Sequence, residues 1–272
     1  MTAPKQLRVA VIGGTGLAGH HTVEALRRAG QDVVVVARSR GIDVVTGEGL
    51  DEALRGVDTV VDVTNVQAPG AEATLQFFSA ATKNLLSAEL RAHVKHHVLL
   101  SIVNIDRMEG NAHYAGKRLQ ERLITSSSIP WTIQRATQFH EFAGMVVDWT
   151  RKGDVAYVPP LLLQPVAASD VGGVLSEVAM EAPRGRAPDL AGPQPEDMVD
   201  MARRTLSARG ESLRLIPSWR TGLFGVETAG EGFLPGPGAR LGPTTFDAWL
   251  KTLAPTTARP SGAASGRDDR RA

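Results

Sequence analysis

The chain has 272 residues, a length that suits one main α/β domain with a small accessory region. Its 30 basic and 29 acidic residues are mixed along the chain and give a net charge of +1. This balance excludes the strongly basic electrostatic field that attracts nucleic acid or an anionic membrane, so a small molecule is the expected partner. The absence of cysteine excludes disulfides, thiolate metal sites and thiol nucleophiles, and we expect a cytoplasmic protein.

The first half of the chain alternates between strand and helix patterns. Residues 7–12 form an apolar, β-branched run, typical of a strand buried on both faces of a parallel sheet. A glycine loop, a helical pattern over 17–29 and a second strand over 32–37 complete a βαβ unit. Further strands are predicted over 43–46, 59–63, 98–103 and 131–135, and further helices over 51–55, 71–92 and 113–125. The six strands predict an open, doubly wound, mostly parallel Rossmann sheet in the order 3-2-1-4-5-6.

After residue 135 the pattern becomes that of a small C-terminal α+β substrate-binding region. We place its start at the break made by Pro159 and Pro160, which divides the chain into a Rossmann core (1–158), a substrate-binding region (159–254) and a tail (255–272). Ser169 and Asp170 are predicted to cap a helix. The remaining predictions are helices ending near residues 150 and 180, helices over 195–206 and 245–253, a strand over 155–158, a lid loop over 222–243 and a disordered tail.

The loop after the first strand, GGTGLAG, has the spacing of a dinucleotide-binding motif. It satisfies GxGxxG from Gly14 and GxxGxxG from Gly13. The glycines allow a tight turn, close approach of backbone N–H groups to a pyrophosphate, and close packing of helix on strand. A position between a first strand and an amphipathic helix favours a nucleotide site over a turn without a ligand. The predicted cofactor contacts are Gly13, Gly14, Thr15, Gly16, Leu17 and Gly19.

The end of the second strand predicts NADP(H) as the cofactor. Binding of NAD usually needs a carboxylate there, which holds the ribose 2′-hydroxyl. This chain has Arg38-Ser39-Arg40 instead, and no acid occurs before Asp43. Guanidinium groups suit a 2′-phosphate because they donate charge-assisted, often bidentate hydrogen bonds to it. The alternative is a solvated loop with no ligand.

Several further blocks occur in an order that resembles the NmrA-like group of atypical short-chain dehydrogenase/reductases, which bind NAD(P)H. The resemblance covers residues 7–253 and rests on GGTGLAG, VVVVARS, GVDTVVDVTN, HVLLSIVNID, YAGKRLQERL, WTIQRATQFHEF and QPVAASDVG. It implies an NADP(H) cofactor and a pocket between the carboxyl edge of the sheet and the C-terminal region. It implies no single reaction, because the group is similar both to reductases of quinones, dyes and enone-like or benzylic substrates and to redox-sensing regulators.

In the wider superfamily a Ser, a Tyr and a Lys four residues after the Tyr carry out proton transfer, so the resemblance implies catalytic roles for Ser101 and Lys117. The position four residues before Lys117 is His113, and Tyr114 is displaced by one residue, which turns its side chain by about 100° around the helix. The donor is therefore left open between His113, whose ordinary pKa is about 6.5, Tyr114 and solvent. Lys117 is predicted to hold a cofactor ribose, with an i, i+4 pair to Glu121 as the alternative.

Other polar residues follow strands at the carboxyl edge of the sheet, where ligands of open α/β sheets bind. Thr64 and Asn65 are predicted to contact the cofactor, unless they only cap a loop. The predicted substrate contacts are Gln138, Phe139, His140 and Trp219. The histidines lack carboxylates in ligand spacing, so no metal is expected.

These residues favour an NADPH-dependent oxidoreductase that reduces a small aromatic or conjugated molecule such as a quinone, an enone or a related carbonyl compound. Two alternatives stay open: a non-catalytic NADP(H)-binding sensor, and a non-redox isomerase or cyclase on the same fold. The sequence is compatible with a monomer or a homodimer. No run of residues approaches the roughly 20 consecutive apolar positions that span a bilayer, so no membrane partner is expected.

Overall fold

The structure is a computed structural model that describes residues 6–66, 70–220, 224 and 228–253. Its helices are α1 (Leu17–Arg28), α2 (Leu50–Ala53), α3 (Ala71–Ala92), α4 (Ala112–Thr125), α5 (Phe142–Thr150), α6 (Ala168–Met180), α7 (Met198–Arg209) and α8 (Phe246–Leu253). The longer strands are β1 (Arg8–Ile12), β2 (Asp32–Val36), β3 (Thr59–Asp62), β4 (His96–Ile102), β5 (Trp131–Ala136), β6 (Val155–Val158) and β11 (Arg214–Pro217). Two-residue strands are β7 (Leu162–Leu163), β8 (Gly185–Arg186), β9 (Leu190–Ala191), β10 (Glu196–Asp197) and β12 (Arg240–Leu241).

Parallel pairing of the long strands builds the central sheet. Within the described residues the sheet runs β12-β9-β5-β4-β3-β1-β2, and β8 pairs with β5 beside this path. The pairs β1 with β2, β1 with β3, β3 with β4 and β4 with β5 are all parallel. The doubly wound, mostly parallel fold class is therefore confirmed, and so is the relative order of five of the six predicted strands.

The third predicted strand, residues 43–46, is wrong. These residues form turns: the Asp43 carboxylate accepts a hydrogen bond from the Val45 amide at 2.7 Å, and the Gly47 amide donates to the Asp43 carbonyl at 2.8 Å. The side chain of Asp43 therefore competes with strand pairing for the local backbone donor. As a result, β2 and not this segment ends the path of the sheet.

Helices cover both faces of the sheet, which explains why most residues of its central strands are buried. Helices α1 and α6 pack on one face around the buried side chains of Val11, Val61 and Leu175. Helices α3 and α4 pack on the other face, where two further buried clusters include Leu85 and Ile124. The glycine loop after β1 and the ends of β2, β3 and β4 consequently lie at one edge of the sheet.

The C-terminal region has its own apolar cluster beside that edge. Helices α5, α7 and α8 surround it together with the parallel pair β6 and β11. Helix α7 begins after Asp197, whose carboxylate accepts a hydrogen bond from the Asp200 amide. Some later segments rejoin the main sheet, because β8 and β9 pair with β5 and β12 pairs with β9. The domain boundary at residue 158 stays a prediction.

Two details differ from the sequence predictions for this region. Helix α6 begins after Ala167 without a side-chain cap, and the predicted cap Asp170 instead accepts two hydrogen bonds from Thr244. In the predicted lid loop, the described residues 228–243 include β12 and the fully buried ring of Phe233. The rest of that loop and the predicted tail 255–272 lie outside the described residues.

Candidate cofactor cleft and catalytic residues

The loop between β1 and α1 presents backbone N–H groups at the carboxyl edge of the sheet. The amides of Gly13 and Gly14 donate to the Val36 carbonyl at 2.9 and 3.3 Å, which holds the loop against the end of β2. A Cβ at Gly19 would lie only 2.1 Å from the Gly13 carbonyl oxygen, so α1 starts closer to the loop than a side chain allows. Gly16 precedes α1 without a side-chain hydrogen bond to its first turn, which leaves that turn suited to an anion.

Arg38, Ser39 and Arg40 lie beside this loop. They form one 3₁₀ turn directly after β2, and all three are exposed. Because β1 and β2 pair in parallel with Ile12 opposite Val36, the turn and the loop are neighbours at the same edge. Two guanidinium groups therefore lie near the place where the adenosine ribose of a bound dinucleotide is expected.

Thr64, one residue beyond the hydrogen-bonded end of β3, has a partner for each of its polar groups. Its amide donates to Asp62 at 2.8 Å, its carbonyl accepts from Lys117 Nζ at 3.2 Å, and its hydroxyl accepts from Gln120 Nε2 at 3.2 Å. Asn65 is exposed, and its side-chain oxygen accepts a hydrogen bond from the next amide. The cofactor contacts of both residues stay predictions, but only Asn65 leaves its side chain in solvent.

Lys117 lies on α4 and is buried against the ends of two strands. Its Nζ donates to the Thr64 carbonyl, to the Leu100 carbonyl at 3.0 Å and to Gln120 Oε1 at 2.8 Å. Burial lowers the pKa of Lys117 to about 8, although the nearby carboxylates of Asp62 and Glu121 act in the opposite direction. The three N–H donors of the ammonium group are thus all engaged by protein acceptors.

His113 and Tyr114 point toward different surroundings. The His113 ring lies 5.7 Å from the ring of Phe78, over which Lys117 Nζ also sits at 5.4 Å from the ring centroid. Tyr114 is buried in the C-terminal apolar cluster, with its ring 6.3 Å from Phe224. The one-residue displacement along α4 therefore gives the two side chains different neighbours, although their ring centroids lie 6.2 Å apart.

Both candidate proton donors are poor acids at neutral pH. Burial, aided by the charge of Lys117, lowers the pKa of His113 from its ordinary value of 6.5 to about 4. At pH 7 the His113 ring is therefore in its neutral form. Burial raises the pKa of Tyr114 above its usual value, against the effect of a hydrogen bond from Gln138 Nε2 at 3.4 Å.

Ser101 is engaged in a charged network on the α4 side of the sheet. Its hydroxyl donates to Glu121 Oε1 at 2.6 Å, and Glu121 also accepts from Arg135 and Arg186. The alternative pairing of Lys117 with Glu121 is therefore not the arrangement found. The role of Ser101 toward a substrate stays a prediction, and it would require the hydroxyl to leave Glu121.

The three predicted substrate contacts after β5 do not meet at one site. Gln138 is buried beside Tyr114, and its side-chain oxygen lacks a hydrogen-bond partner among the described residues. Phe139 packs on the opposite side, with the cluster around α1 and α6. His140 Nε2 hydrogen bonds to the Thr244 carbonyl, and its ring lies 5.7 Å from that of Trp249 on α8. Of these three residues, only Gln138 lies next to the candidate proton donors.

Trp219 is half-buried against the C-terminal cluster, so its predicted place in a pocket wall stays untested. As for metals, the part of the chain that the structure describes has no group of three or more His, Asp or Glu side chains arranged to hold an ion. The same described residues include no helix long and apolar enough to cross a membrane.

A family model described as NAD(P)H-binding matches residues 13–178, which begin at the phosphate loop and end in α6. This match covers more than half of the chain. The chain belongs to the NAD(P)H-binding family. The family assignment confirms the resemblance proposed from the sequence at this level and identifies the cofactor as a nicotinamide dinucleotide.

Named relatives of this NAD(P)H-binding protein include reductases. (4-Alkanoyl-5-oxo-2,5-dihydrofuran-3-yl)methyl phosphate reductase of Streptomyces griseus subsp. griseus is 26% identical over 229 residues, which cover 76% of this chain and 75% of the relative. The chloroplastic divinyl chlorophyllide a 8-vinyl-reductase of Arabidopsis thaliana is 25% identical over 214 residues, or 66% of this chain. The aligned part spans only 51% of the length of the Arabidopsis protein.

Solved structures at lower identity share the fold. The NADPH-dependent quinone oxidoreductase of Escherichia coli, in complex with NADPH, is 17% identical and matches with a TM-score of 0.68 over 90% of this chain and 99% of that one. The triphenylmethane reductase of Citrobacter sp., in complex with NADP(H), is 18% identical and has a TM-score of 0.59 over 78% and 80% of the two chains.

The NAD(P)H-binding protein has a phosphate loop whose own geometry fits the dinucleotide. Gly19 has no room for a side chain, Gly13 has a φ of 79° that favours glycine, and the start of α1 offers N–H groups to the pyrophosphate. Sequence reasoning missed two buried residues that support Thr64 beside the phosphate loop, Asp62 and Gln120. The available signals were a carboxylate inside an apolar strand and a glutamine three residues after Lys117, neither of which indicates a contact between residues 58 positions apart.

Proposed function

We propose that this chain is an NADPH-dependent oxidoreductase that reduces a small aromatic or conjugated substrate, such as a quinone, an enone or a related carbonyl compound. The observation that carries the preference for NADPH is the exposed turn Arg38–Arg40 beside the phosphate loop. A 2′-phosphate placed there would accept hydrogen bonds from guanidinium groups, whereas a carboxylate that would hold a free 2′-hydroxyl is missing from the turn.

The surroundings of Gln138 support an apolar, planar substrate. Its buried amide lies beside Tyr114, which packs with Phe224 and the rest of the C-terminal cluster. Phe142 also packs against Phe224, with ring centroids 6.0 Å apart. Aromatic rings favour other rings in edge or offset geometry, and the Gln138 oxygen without a partner would accept one hydrogen bond. The reductases among the relatives and structural neighbours are consistent with this type of chemistry.

When bound, NADPH supplies a hydride to an electrophilic carbon of the substrate and leaves as NADP⁺, while the electron pair of the broken C=C or C=O π bond takes up a proton. The residues of this chain contribute position more than acidity. The phosphate loop and the Arg38–Arg40 turn fix the dinucleotide, and the buried Gln138 orients the substrate. Such positioning lowers barriers by several kcal/mol, about as much as or more than a general acid.

The first experiment compares affinities for NADPH and NADH by calorimetry. We expect NADPH to bind more tightly than NADH. Arg38→Glu should weaken binding of NADPH by about 10- to 100-fold, because a charge-assisted hydrogen bond to the 2′-phosphate is lost, and it should have little effect on binding of NADH. Arg122→Glu is the matched control, because this exposed arginine lies near the end of α4, which runs away from the cleft. Equal affinities of the unaltered protein for the two nucleotides would remove the basis for the NADPH preference.

The second experiment follows the absorbance of NADPH during incubation with quinones, enones and aldehydes. Consumption with at least one conjugated substrate is expected. The poor acidity of His113 and Tyr114 favours one other function, a sensor that binds NADP(H) without turnover. The sensor is the better interpretation if no compound is reduced while NADPH and NADP⁺ protect different backbone amides from hydrogen exchange.

A further inference from the structure

Asp62, Gln120 and Lys117 form a buried polar cluster between β3 and α4. Gln120 is its centre: the side-chain oxygen accepts from Lys117 Nζ at 2.8 Å, and the side-chain nitrogen donates to Asp62 Oδ2 at 2.8 Å. All three side chains are buried, with at most 5% of each residue exposed. The amide therefore links an ammonium group to a carboxylate through hydrogen bonds, with no direct ion pair between them.

The same cluster fixes Thr64 from three directions. Asp62 accepts from its amide, Lys117 donates to its carbonyl, and Gln120 donates to its hydroxyl. A residue with all of its polar groups paired in a buried setting has little freedom to shift, since each displaced group would lose a partner that water cannot replace.

Thr64 lies beside Gly13 of the phosphate loop. An added Cβ at Gly13 would be 3.5 Å from the Thr64 Cα and 3.3 Å from the Val63 carbonyl oxygen, so the space between the two backbones admits no more than one methyl group. The amides of Gly13 and Gly14 anchor the loop to the end of β2. The position of Thr64 thus limits how far Gly13 can shift toward the end of β3.

We propose that the Asp62–Gln120–Lys117 cluster positions the phosphate loop through Thr64, and that Lys117 supports cofactor binding through this contact rather than by holding a ribose. Gln120 and Asp62 are accordingly positioning residues for the dinucleotide. The inference rests on binding of the dinucleotide and not on the proposed reductase activity, so a chemically silent binding protein would show it equally.

The donor count of Lys117 supports an indirect role. An ammonium group has three N–H donors, and in this structure they are given to Thr64, Leu100 and Gln120. A ribose hydroxyl could be bound only by breaking one of these buried hydrogen bonds. The cluster needs no such rearrangement to act on the loop.

The test compares binding of NADPH with binding of 2′,5′-ADP, a fragment that contacts the loop and the arginine turn but has no nicotinamide ribose. Gln120→Leu removes the side-chain amide and keeps a similar volume. We expect it to weaken binding of both ligands by about tenfold, because the buried hydrogen bonds that fix Thr64 are lost. Gln134→Leu is the matched control: Gln134 is also buried, but it donates to the Pro188 and Arg135 carbonyls. It should lower the melting temperature without changing either affinity.

Lys117→Met separates the direct role from the indirect role. If Lys117 acts through Thr64, affinity for NADPH and for 2′,5′-ADP falls by the same factor. If it holds the nicotinamide ribose, only NADPH is weakened, and the proposal is wrong. The proposal also fails if Gln120→Leu loses thermal stability as the Gln134→Leu control does while keeping both affinities within about twofold of the unaltered protein.

Gln120→Glu gives a pH-dependent affinity, which a purely structural residue would not produce. It also provides a second variant if Gln120→Leu does not fold. Its ionised carboxylate can accept from Lys117 but cannot donate to Asp62, whereas the protonated acid can do both. The charged groups that act on this position are Asp62 and Lys117 directly. Glu121 and His113 interact with Lys117, and the buried Glu89–His97 pair interacts with Asp62. Relative to the unaltered protein, affinity of Gln120→Glu for 2′,5′-ADP should recover as the pH falls. An unchanging ratio across pH would contradict the proposal.

Discussion

Replacement of Gly19 by alanine tests whether the contact between α1 and the phosphate loop creates the anion site. The new Cβ would lie 2.1 Å from the Gly13 carbonyl oxygen and 2.7 Å from the Gly14 Cα, and real Cβ atoms stay at 3.0 Å or more. Both neighbours are backbone atoms, so no flexible side chain can move aside. Loop and helix must separate by about 0.9 Å to reach that limit.

A displacement of this size acts on both stability and binding. Overpacking of a tight contact costs about 1–3 kcal/mol, which lowers the melting temperature of a protein of this size by about 2–12 °C. Hydrogen bonds from the first turn of α1 to a pyrophosphate would lengthen beyond about 3.2 Å, where they weaken steeply. Loss of one or two of them predicts about 10- to 100-fold weaker binding of NADPH.

The assay is a fluorescence titration with NADPH together with a thermal melt. Gly173→Ala in α6 is the control, because a Cβ there meets no atom within 4 Å and alanine favours the helix by up to about 1 kcal/mol. It should bind NADPH normally and melt slightly higher. A Gly19→Ala protein with unchanged affinity and melting temperature would refute the assignment of this loop as the pyrophosphate site.

Two predictions concern stability. Burial lowers the pKa values of His96 and His113 from 6.5 to about 4. Between these pH values the unfolded chain therefore binds protons that the folded chain does not. The free energy of unfolding should fall as the pH drops from 6.5 to 4, by up to about 1.4 kcal/mol per pH unit for each histidine. Urea unfolding at several pH values checks this, and an equal slope for His113→Leu would contradict the assignment. Phe233→Ala should lower the free energy of unfolding by about 3–5 kcal/mol, because its ring is fully buried. Leu241→Ala is the control at an exposed position of β12 and should change it little. A normal melting temperature for Phe233→Ala would mean that residues 228–243 are a lid that does not support the fold.

Local signals were sufficient for the parts of the fold that carry the cofactor. Strands β1, β2 and β3 are short runs rich in β-branched residues, and the glycine spacing between β1 and α1 is specific once its neighbours are known. Local propensity failed at residues 43–46, where Val44 and Val45 favour a strand but the Asp43 carboxylate closes a turn on the Val45 amide. The two-residue strands β8, β9 and β12 are too short to produce a pattern, so they could not be predicted.

The candidate site divides in the same way. Helical geometry predicted from sequence that His113 and Tyr114 face different directions, and the structure shows His113 beside Phe78 and Tyr114 in the C-terminal cluster. The pKa of His113 could not be predicted, because its shift comes from tertiary burial and from the charge of Lys117. The Gln120 contact with Asp62 was equally inaccessible, since it depends on how α4 packs against β3.

Under the proposed reductase function, the weakness of both acids predicts which substrates are reduced. Hydride addition to a quinone or an enone gives a delocalised anion that solvent can protonate, whereas addition to an isolated ketone gives a strongly basic alkoxide that needs a positioned acid. A general acid is worth about 10²- to 10⁴-fold in rate, so kcat/KM for conjugated substrates should exceed that for simple ketones by about this factor.

Because the pKa of His113 is about 4, the rate with a quinone should also show no imidazole titration between pH 6 and 8. Tyr114→Phe should leave that rate nearly unchanged, since burial raises the pKa of the phenol. Efficient reduction of a simple ketone that is lost in Tyr114→Phe, with NADPH affinity intact, would show that the phenol donates the proton.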